Sequence, residues 1–239
     1  MSNKGAVVVI GGTRAIGLEI VKHYAGAGHP VVVSGQTPAN VEAAVAQASA
    51  VVADGGSVTG ATFDLADPHS IAPALAGIGP VQYVVLAAID RDANTVKDYD
   101  IDRAIRLATL KLVGYTEVVH ALLDRLSDES SVVLFGGMAK ERPYPGSTTV
   151  STVNGGIVGL TRSLVEELKP IRVNSIHPGI VGDSPFWAEK PAAIVNYTSQ
   201  TPTGRLACMA DIVGAVTFLL ENPAVNGVDL IVDGGWHCR

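Results

Sequence analysis

Ala6-Val7-Val8-Val9-Ile10-Gly11-Gly12-Thr13-Arg14-Ala15-Ile16-Gly17 decides the fold. Its apolar run is too short to span a membrane, and it is continuous rather than alternating, the pattern of a strand buried on both faces. The run passes directly into glycines and then into a helix-length stretch, Ile16 to Ala25. A strand that turns through glycines into a helix is the first unit of a parallel sheet. That turn brings backbone N–H groups and the positive end of a helix dipole against a pyrophosphate. A tight strand-to-helix turn with no ligand is the plain alternative.

The same alternation continues to the end of the chain. Further strand-length apolar runs are Val31 to Ser34, Thr59 to Asp64, Gln82 to Ala87, Ser131 to Phe135, Ile171 to Ile176 and Val228 to Val232. Between them lie helical segments at Val41 to Ala53, Ser70 to Leu75, Asp100 to Leu126, Val150 to Leu168 and Ile212 to Leu220. Strands alternating with helices predict an α/β protein, a Rossmann-type doubly wound parallel sheet of about seven strands. Residues 1–239 are expected to form one domain, with no repeat or low-complexity linker. His177 to Arg205 has no clear element; a loop of that length is expected to be a lid over the substrate.

Composition narrows the partners. Of 239 residues, 47% are hydrophobic and 17% charged, so most of the chain must pack rather than remain solvated. A net charge of -6 without a Lys/Arg run argues against nucleic acid or an anionic membrane as the main partner. Met1 to Lys4 lead into an apolar run that ends in glycines rather than in a cleavage site. Cys208 and Cys238 are too few for a disulfide framework, and the reading is a protein of the cytoplasm. The six histidines show no ligand spacing, so no metal site is expected.

Gly11-Gly12-Thr13-Arg14-Ala15-Ile16-Gly17 resembles the Thr-Gly-x-x-x-Gly-x-Gly fingerprint of the short-chain dehydrogenase/reductase family, with Ile10 in place of the Thr and Ala15 in place of the middle Gly. Asp64-Leu65, Ile171-Arg172-Val173-Asn174 leading to Pro178-Gly179, Gly204-Arg205 and Val232-Asp233-Gly234-Gly235 recur in the family's order, so the resemblance covers essentially the whole chain.

The resemblance implies a nicotinamide dinucleotide. NAD-binding relatives place an acid after the second strand; here Ser34-Gly35-Gln36-Thr37 has none, and Arg14 resembles the basic residue that pairs the 2′-phosphate in NADP-binding relatives. NADP(H) is therefore favoured over NAD(H), although Arg14 could instead be a solvated loop charge. The implied cofactor contacts are Gly11, Thr13, Arg14, Ile16, Gly17, Ser34, Gly35, Gln36, Asp64, Leu65, Ala87, Ala88, Asn154, Pro178, Gly179 and Ile180. Asp64 would accept from the adenine amino group, and Ile180 would face the nicotinamide carboxamide.

The chemistry is where the resemblance fails. At the family's Ser, Tyr and Lys positions stand Gly137, Val150 and Asn154, and Lys111 stands at that of its helix Asn. The Asn-Asn-Ala-Gly segment reads Leu86-Ala87-Ala88-Ile89. A positioned general acid is worth about 10² to 10⁴ in rate. Val150 has no proton to give, and Gly137 removes the hydroxyl that would hold a carbonyl oxygen.

Three readings remain. In the first, hydride transfer persists on a small substrate, an imine or iminium, an enone or a carbonyl. Lys111 would then be a desolvated proton donor or oxyanion holder, or else merely a snorkelling helix charge. Asn154 would bond the nicotinamide ribose, or pack as a helix polar group. Asp183 could hold a cationic substrate, while Asp90 and Asp92 read as solvated carboxylates. In the second the fold runs a non-redox step such as cyclisation or elimination. In the third it is a silent NADP(H)-binding sensor or partner. Tyr144 is a replacement acid or a packing residue, and Phe186 and Trp187 give the lid an apolar face. Gly155, Gly156 and Gly159 lower helix stability and suit a closely packed partner helix, or else pack within the subunit; the resemblance implies a homodimer or homotetramer through that helix and the long one before it.

Overall fold

The computed structural model describes residues 5–90 and 92–238; Met1 to Lys4, read as the start of the chain, lie outside them. In chain order the elements are β1 (Ala6–Ile10), α1 (Ala15–Gly26), β2 (Pro30–Gly35), α2 (Pro38–Ser49), β3 (Ser57–Thr62), α3 (Ile71–Leu75), β4 (Val81–Leu86), α4 (Ile101–Ala108), α5 (Tyr115–Leu122), β5 (Leu126–Phe135), α6 (Thr148–Glu167), β6 (Arg172–Pro178), α7 (Pro185–Ala188), α8 (Pro191–Gln200), α9 (Met209–Glu221) and β7 (Asp229–Val232). The seven strands form one sheet in the order β3-β2-β1-β4-β5-β6-β7. All neighbours are parallel, with Ile10 beside Ser34 on one side and Leu86 on the other. The order reverses between β1 and β4, so a crevice opens there outside the strands' carboxyl ends.

The continuous apolar runs are explained by burial on both faces. Val7 and Val9 pack with Leu18, Val21 and Tyr24 of α1 and Ile212, Val216 and Leu219 of α9. Val8 and Ile10 point the other way, against Ile71 and Leu75 of α3, Tyr115, Val118 and Leu122 of α5, and Ile157 and Leu164 of α6. Successive strand residues face opposite sides, so a polar residue anywhere in β1 would be buried. Truncating one of these side chains to alanine should cost about 2–5 kcal/mol for Leu or Ile.

Three sequence expectations are corrected. Residues 177–205 contain two helices, α7 and α8, rather than one element-free loop. Each starts on a proline, Pro185 and Pro191, whose fixed φ suits the first helical turn. The helix expected over Asp100 to Leu126 is split: Thr109–Gly114 is a π-helical stretch between α4 and α5, and Leu123–Arg125 is a 3₁₀ turn. β5 begins at Leu126, which pairs with Val81 ahead of a β-bulge, and regular pairing resumes at Ser131, where the apolar run starts. No helix among the described residues is long and apolar enough to cross a membrane.

Candidate functional site

Parallel pairing brings the ends of all seven strands to one edge, so Gly11, Ser34, Asp64, Ala87, Gly137 and Pro178 gather there although they are far apart in sequence. Gly11 has φ +79°, and a Cβ on it would lie 2.6 Å from the backbone of Ala88. On Gly17 a Cβ would lie 2.2 Å from the Gly11 carbonyl oxygen. Neither position accepts a side chain. Ala15 is the one described non-glycine residue with positive φ, at 48°. It keeps the left-handed turn at a cost of about 1–2 kcal/mol. Arg14, exposed, is the N-cap of α1; it makes no side-chain cap, and no acid occupies the first turn. The first amides of α1 are thus left for an external acceptor, the arrangement of an anion site. Ile16 is half-buried beside them.

At the other end of the crevice, Asp64 is claimed by four donors. Its Oδ1 accepts from Ala66 N at 2.9 Å and Arg106 Nη2 at 3.2 Å, and its Oδ2 from Gln36 Nε2 at 2.9 Å and Arg106 Nη1 at 3.0 Å. Partial burial pushes the Asp64 carboxyl up, but these donors, Arg106 foremost, outweigh it and hold it below its ordinary value. Leu65 is buried in the core. Ser34 is buried, and Thr13 packs its methyl where a Cβ on Gly35 would fall, 2.4 Å away. No carboxylate follows β2.

Between β5 and α6 the site is apolar where a proton donor was sought. Val150 is buried with Leu107, Ala139 and Val153. Gly137 faces Asn154: a Cβ on Gly137 would meet Asn154 Nδ2 at 2.9 Å. Asn154 is 3% exposed, and its Oδ1 has no hydrogen-bond partner. Lys111 lies within the π-helical stretch and is 1% exposed. Its Nζ donates to Phe135 O at 2.6 Å and to Tyr115 Oη at 3.0 Å, and Tyr115 Oη donates to Ala88 O at 2.7 Å. Burial lowers the Lys111 pKa to about 7. It is therefore not the snorkelling charge of the alternative reading, since its head is sealed beneath the ends of β4 and β5.

His177, unremarked in the sequence, supports this floor. It is fully buried, its Nδ1 accepts from Gly137 N at 3.2 Å, and Nε2 lies 2.9 Å from Ser175 Oγ. An acceptor Nδ1 puts the proton on Nε2, which donates to Ser175 Oγ; that hydroxyl donates to Asp229. Burial, aided by Lys140, lowers the His177 pKa to about 4, so the ring is neutral. Gly179 donates to Val232 O and abuts Asp233, and Pro178 and Ile180 are half-buried beside it.

The acidic candidates separate. Asp183 is exposed and accepts from Met209 N at 2.8 Å, tying down the start of α9. Asp90 and Asp92 are not simply solvated: Asp90 Oδ2 accepts from Arg106 Nε at 2.9 Å, and Asp92, buried, lies 3.0 Å from Arg103 Nη2. That approach is an ion pair without hydrogen-bond alignment, since both Asp92 oxygens lack a hydrogen bond. Tyr144 is 54% exposed, so it is not a packing residue. Phe186 and Trp187 join Tyr197 and Trp236 in a chain of edge-to-face rings with centroids 5.1 to 5.8 Å apart.

Residues 11–237 match the family model described as Enoyl-(Acyl carrier protein) reductase. The chain belongs to the short-chain dehydrogenase/reductase family. This short-chain dehydrogenase/reductase is 32% identical over 236 residues to carbonyl reductase family member 4 of Danio rerio, covering 95% of this chain and 96% of that one. It is 30% identical over 240 residues to 3-oxoacyl-[acyl-carrier-protein] reductase of Rattus norvegicus, covering 95% of each. A solved short chain dehydrogenase/reductase family protein superposes with a TM-score of 0.85 at 27% identity, covering the whole of both chains. The MalC reductase/Diels-Alderase from Malbranchea aurantiaca superposes with a TM-score of 0.91 at 24% identity, covering 99% and 98%, a likeness of fold. Within this family member the sequence reading missed Arg106 and His177. Arg106 carried one usable signal, a cation on a helix beside two acids placed after strands.

Proposed function

We propose that the chain binds NADP(H) and is an oxidoreductase that transfers hydride on a small organic substrate without a tyrosine acid. A reacting carbon that already carries positive charge, as in an imine or iminium, suits it best; enones and carbonyls are the neighbouring classes. The observation that carries the reading is the pairing of a glycine turn built for pyrophosphate with an apolar wall, Val150, Leu107, Ala139 and Val153, where the family's acid would stand. Two features support the fit of the dinucleotide: the uncapped start of α1, and the buried, unpartnered Asn154 Oδ1, which suits a ribose hydroxyl. When bound, the cofactor supplies the hydride.

The residues of the chain then divide the remaining work. Gly11, Ile16 and Gly17 offer backbone donors to the pyrophosphate, and Arg14 offers its guanidinium to the 2′-phosphate, with Ser34, Gly35, Gln36 and Thr13 forming a wall free of acids. Asp64 and Leu65 lie at the adenine end, Ala87 and Ala88 line the middle, and Pro178, Gly179 and Ile180 face the nicotinamide. Asn154 orients the ribose. Lys111, Tyr115 and His177 hold the floor from beneath, so Lys111 acts as a support rather than as a proton donor to substrate. Asp183 fixes the mouth at α9, and α7 and α8 with the rings of Phe186 and Trp187 cover the substrate. A non-redox cyclisation is the second reading: the apolar wall suits a reaction without proton transfer, and the similar MalC structure carries both a reductase and a Diels-Alderase name.

Assembly as a homodimer or homotetramer through α6 is part of the proposal. A Cβ on Gly155 or Gly159 would meet nothing within 4 Å, whereas Gly156 is backed by Leu112. Both bare glycines are exposed. The functional test is oxidation of NADPH, followed by absorbance, over a panel of 2-methyl-1-pyrroline, cyclohex-2-enone and cyclohexanone. Turnover of the imine above the ketone supports the reading. Equal turnover of the ketone overturns the claim that no acid is supplied.

A further inference from the structure

Arg106 spans the crevice in a way that no fold requirement explains. Asp64 follows β3 and Asp90 follows β4, and in the sheet β2 and β1 lie between those two strands. One side chain from α4 reaches both: its Nη atoms form a two-pronged contact to Asp64 at 3.0 and 3.2 Å, and its Nε bonds Asp90 at 2.9 Å. The guanidinium is thus fixed in orientation by its own three nitrogens, which donate to two carboxylates in the loops that follow β3 and β4. Its side chain remains 40% exposed, so part of its surface is open. A pinned guanidinium with an open face is a stacking surface for a flat heteroaromatic ring, and its charge offsets two carboxylates that would otherwise repel a polyanionic nucleotide.

We propose that Arg106 is an adenine-binding residue of this chain, lying against the adenine ring while Asp64 and Asp90 hold its plane. This rests on the dinucleotide reading above and adds a residue that the glycine turn and Arg14 do not account for. It also separates two kinds of cation. Arg14 would sense the 2′-phosphate, whereas Arg106 would sense adenine whether or not that phosphate is present.

Calorimetric titration with NADPH, NADH and 2′,5′-ADP tests it, using wild type and Arg106→Ala. The expected result is a loss of about tenfold in affinity for all three ligands by a common factor. Unchanged affinity in Arg106→Ala overturns the proposal. Tighter binding also overturns it, since Arg106 would then be competing with adenine for Asp64. A loss confined to NADPH and 2′,5′-ADP would make Arg106 a phosphate ligand instead. Wild type binding none of the three would overturn both this proposal and the dinucleotide reading, whereas wild-type binding with an unaltered variant overturns this one alone. If Arg106→Ala does not fold, Arg106→Gln, which keeps a donor for Asp64 without the charge or the guanidinium plane, carries the same test.

Discussion

Replacing Lys111 by methionine should stabilise the folded chain at pH 7. The ammonium is held at 1% exposure with a carbonyl and a hydroxyl for partners and no carboxylate in contact. Its pKa falls from 10.5 to about 7. Because the folded value lies below the unfolded one, the unfolded chain binds more protons between these limits, and stability rises with pH across that window. At 1.36 kcal/mol for each pH unit, the penalty near pH 7 is roughly 4–5 kcal/mol relative to strongly alkaline solution. Methionine fills a similar volume without a charge. It leaves Phe135 O unpaired, at about 1–3 kcal/mol, while Tyr115 keeps its bond to Ala88. The net gain at pH 7 should be about 1–3 kcal/mol, shrinking and then reversing toward pH 10.5. Urea unfolding of both proteins at several pH values reads this directly, because other titrating groups cancel in the difference. A difference that does not change with pH, or a variant less stable by more than about 2 kcal/mol at pH 7, would refute the reasoning.

Four further outcomes are expected. Ala15→Gly should raise stability by about 1 kcal/mol in equilibrium unfolding, since glycine takes φ +48° without strain. His177, with its pKa lowered to about 4 from 6.5, should weaken the fold as pH falls through that interval, by up to roughly 3 kcal/mol; its ring proton signals in NMR should not titrate above pH 5.5 or so. Arg14→Ala should cost about tenfold in affinity for NADPH and little for NADH, measured by fluorescence of the reduced nicotinamide. Gly159→Arg should shift the chain to a smaller species in sedimentation velocity, because the added side chain would fill the bare face of α6.

The sheet was legible because its strands are buried on both faces. Val7 to Ile10, Val31 to Ser34 and Ser131 to Phe135 could only be central parallel strands, and the glycines after the first could only be a turn. The breaks were not legible. A π-helical stretch at Thr109–Gly114 leaves no mark on a 3.6-residue pattern. α7 has four residues, too few for periodicity to register. The residues proposed for the cofactor side stand beside strand ends, which a sequence pattern locates, except Asn154, which lies inside α6. Its catalytic side was not, since burial decides the role: Lys111 reads as a candidate acid in sequence, yet its head reaches only Phe135 O and Tyr115 Oη. Arg106 and His177 act through partners far along the chain, Asp64 and Gly137, which no local window contains.

We propose a glycine turn that holds a dinucleotide beside a wall, Val150 with Leu107, Ala139 and Val153, that has no proton to give. Calorimetric titration of the purified chain with NADPH and, separately, NADH tests this most directly. Binding of NADPH at least about tenfold tighter than NADH is the predicted result, because the glycine turn carries Arg14 and no acid follows β2. Failure to bind either would contradict the account, leaving the turn from Gly11 to Gly17 as scaffold alone.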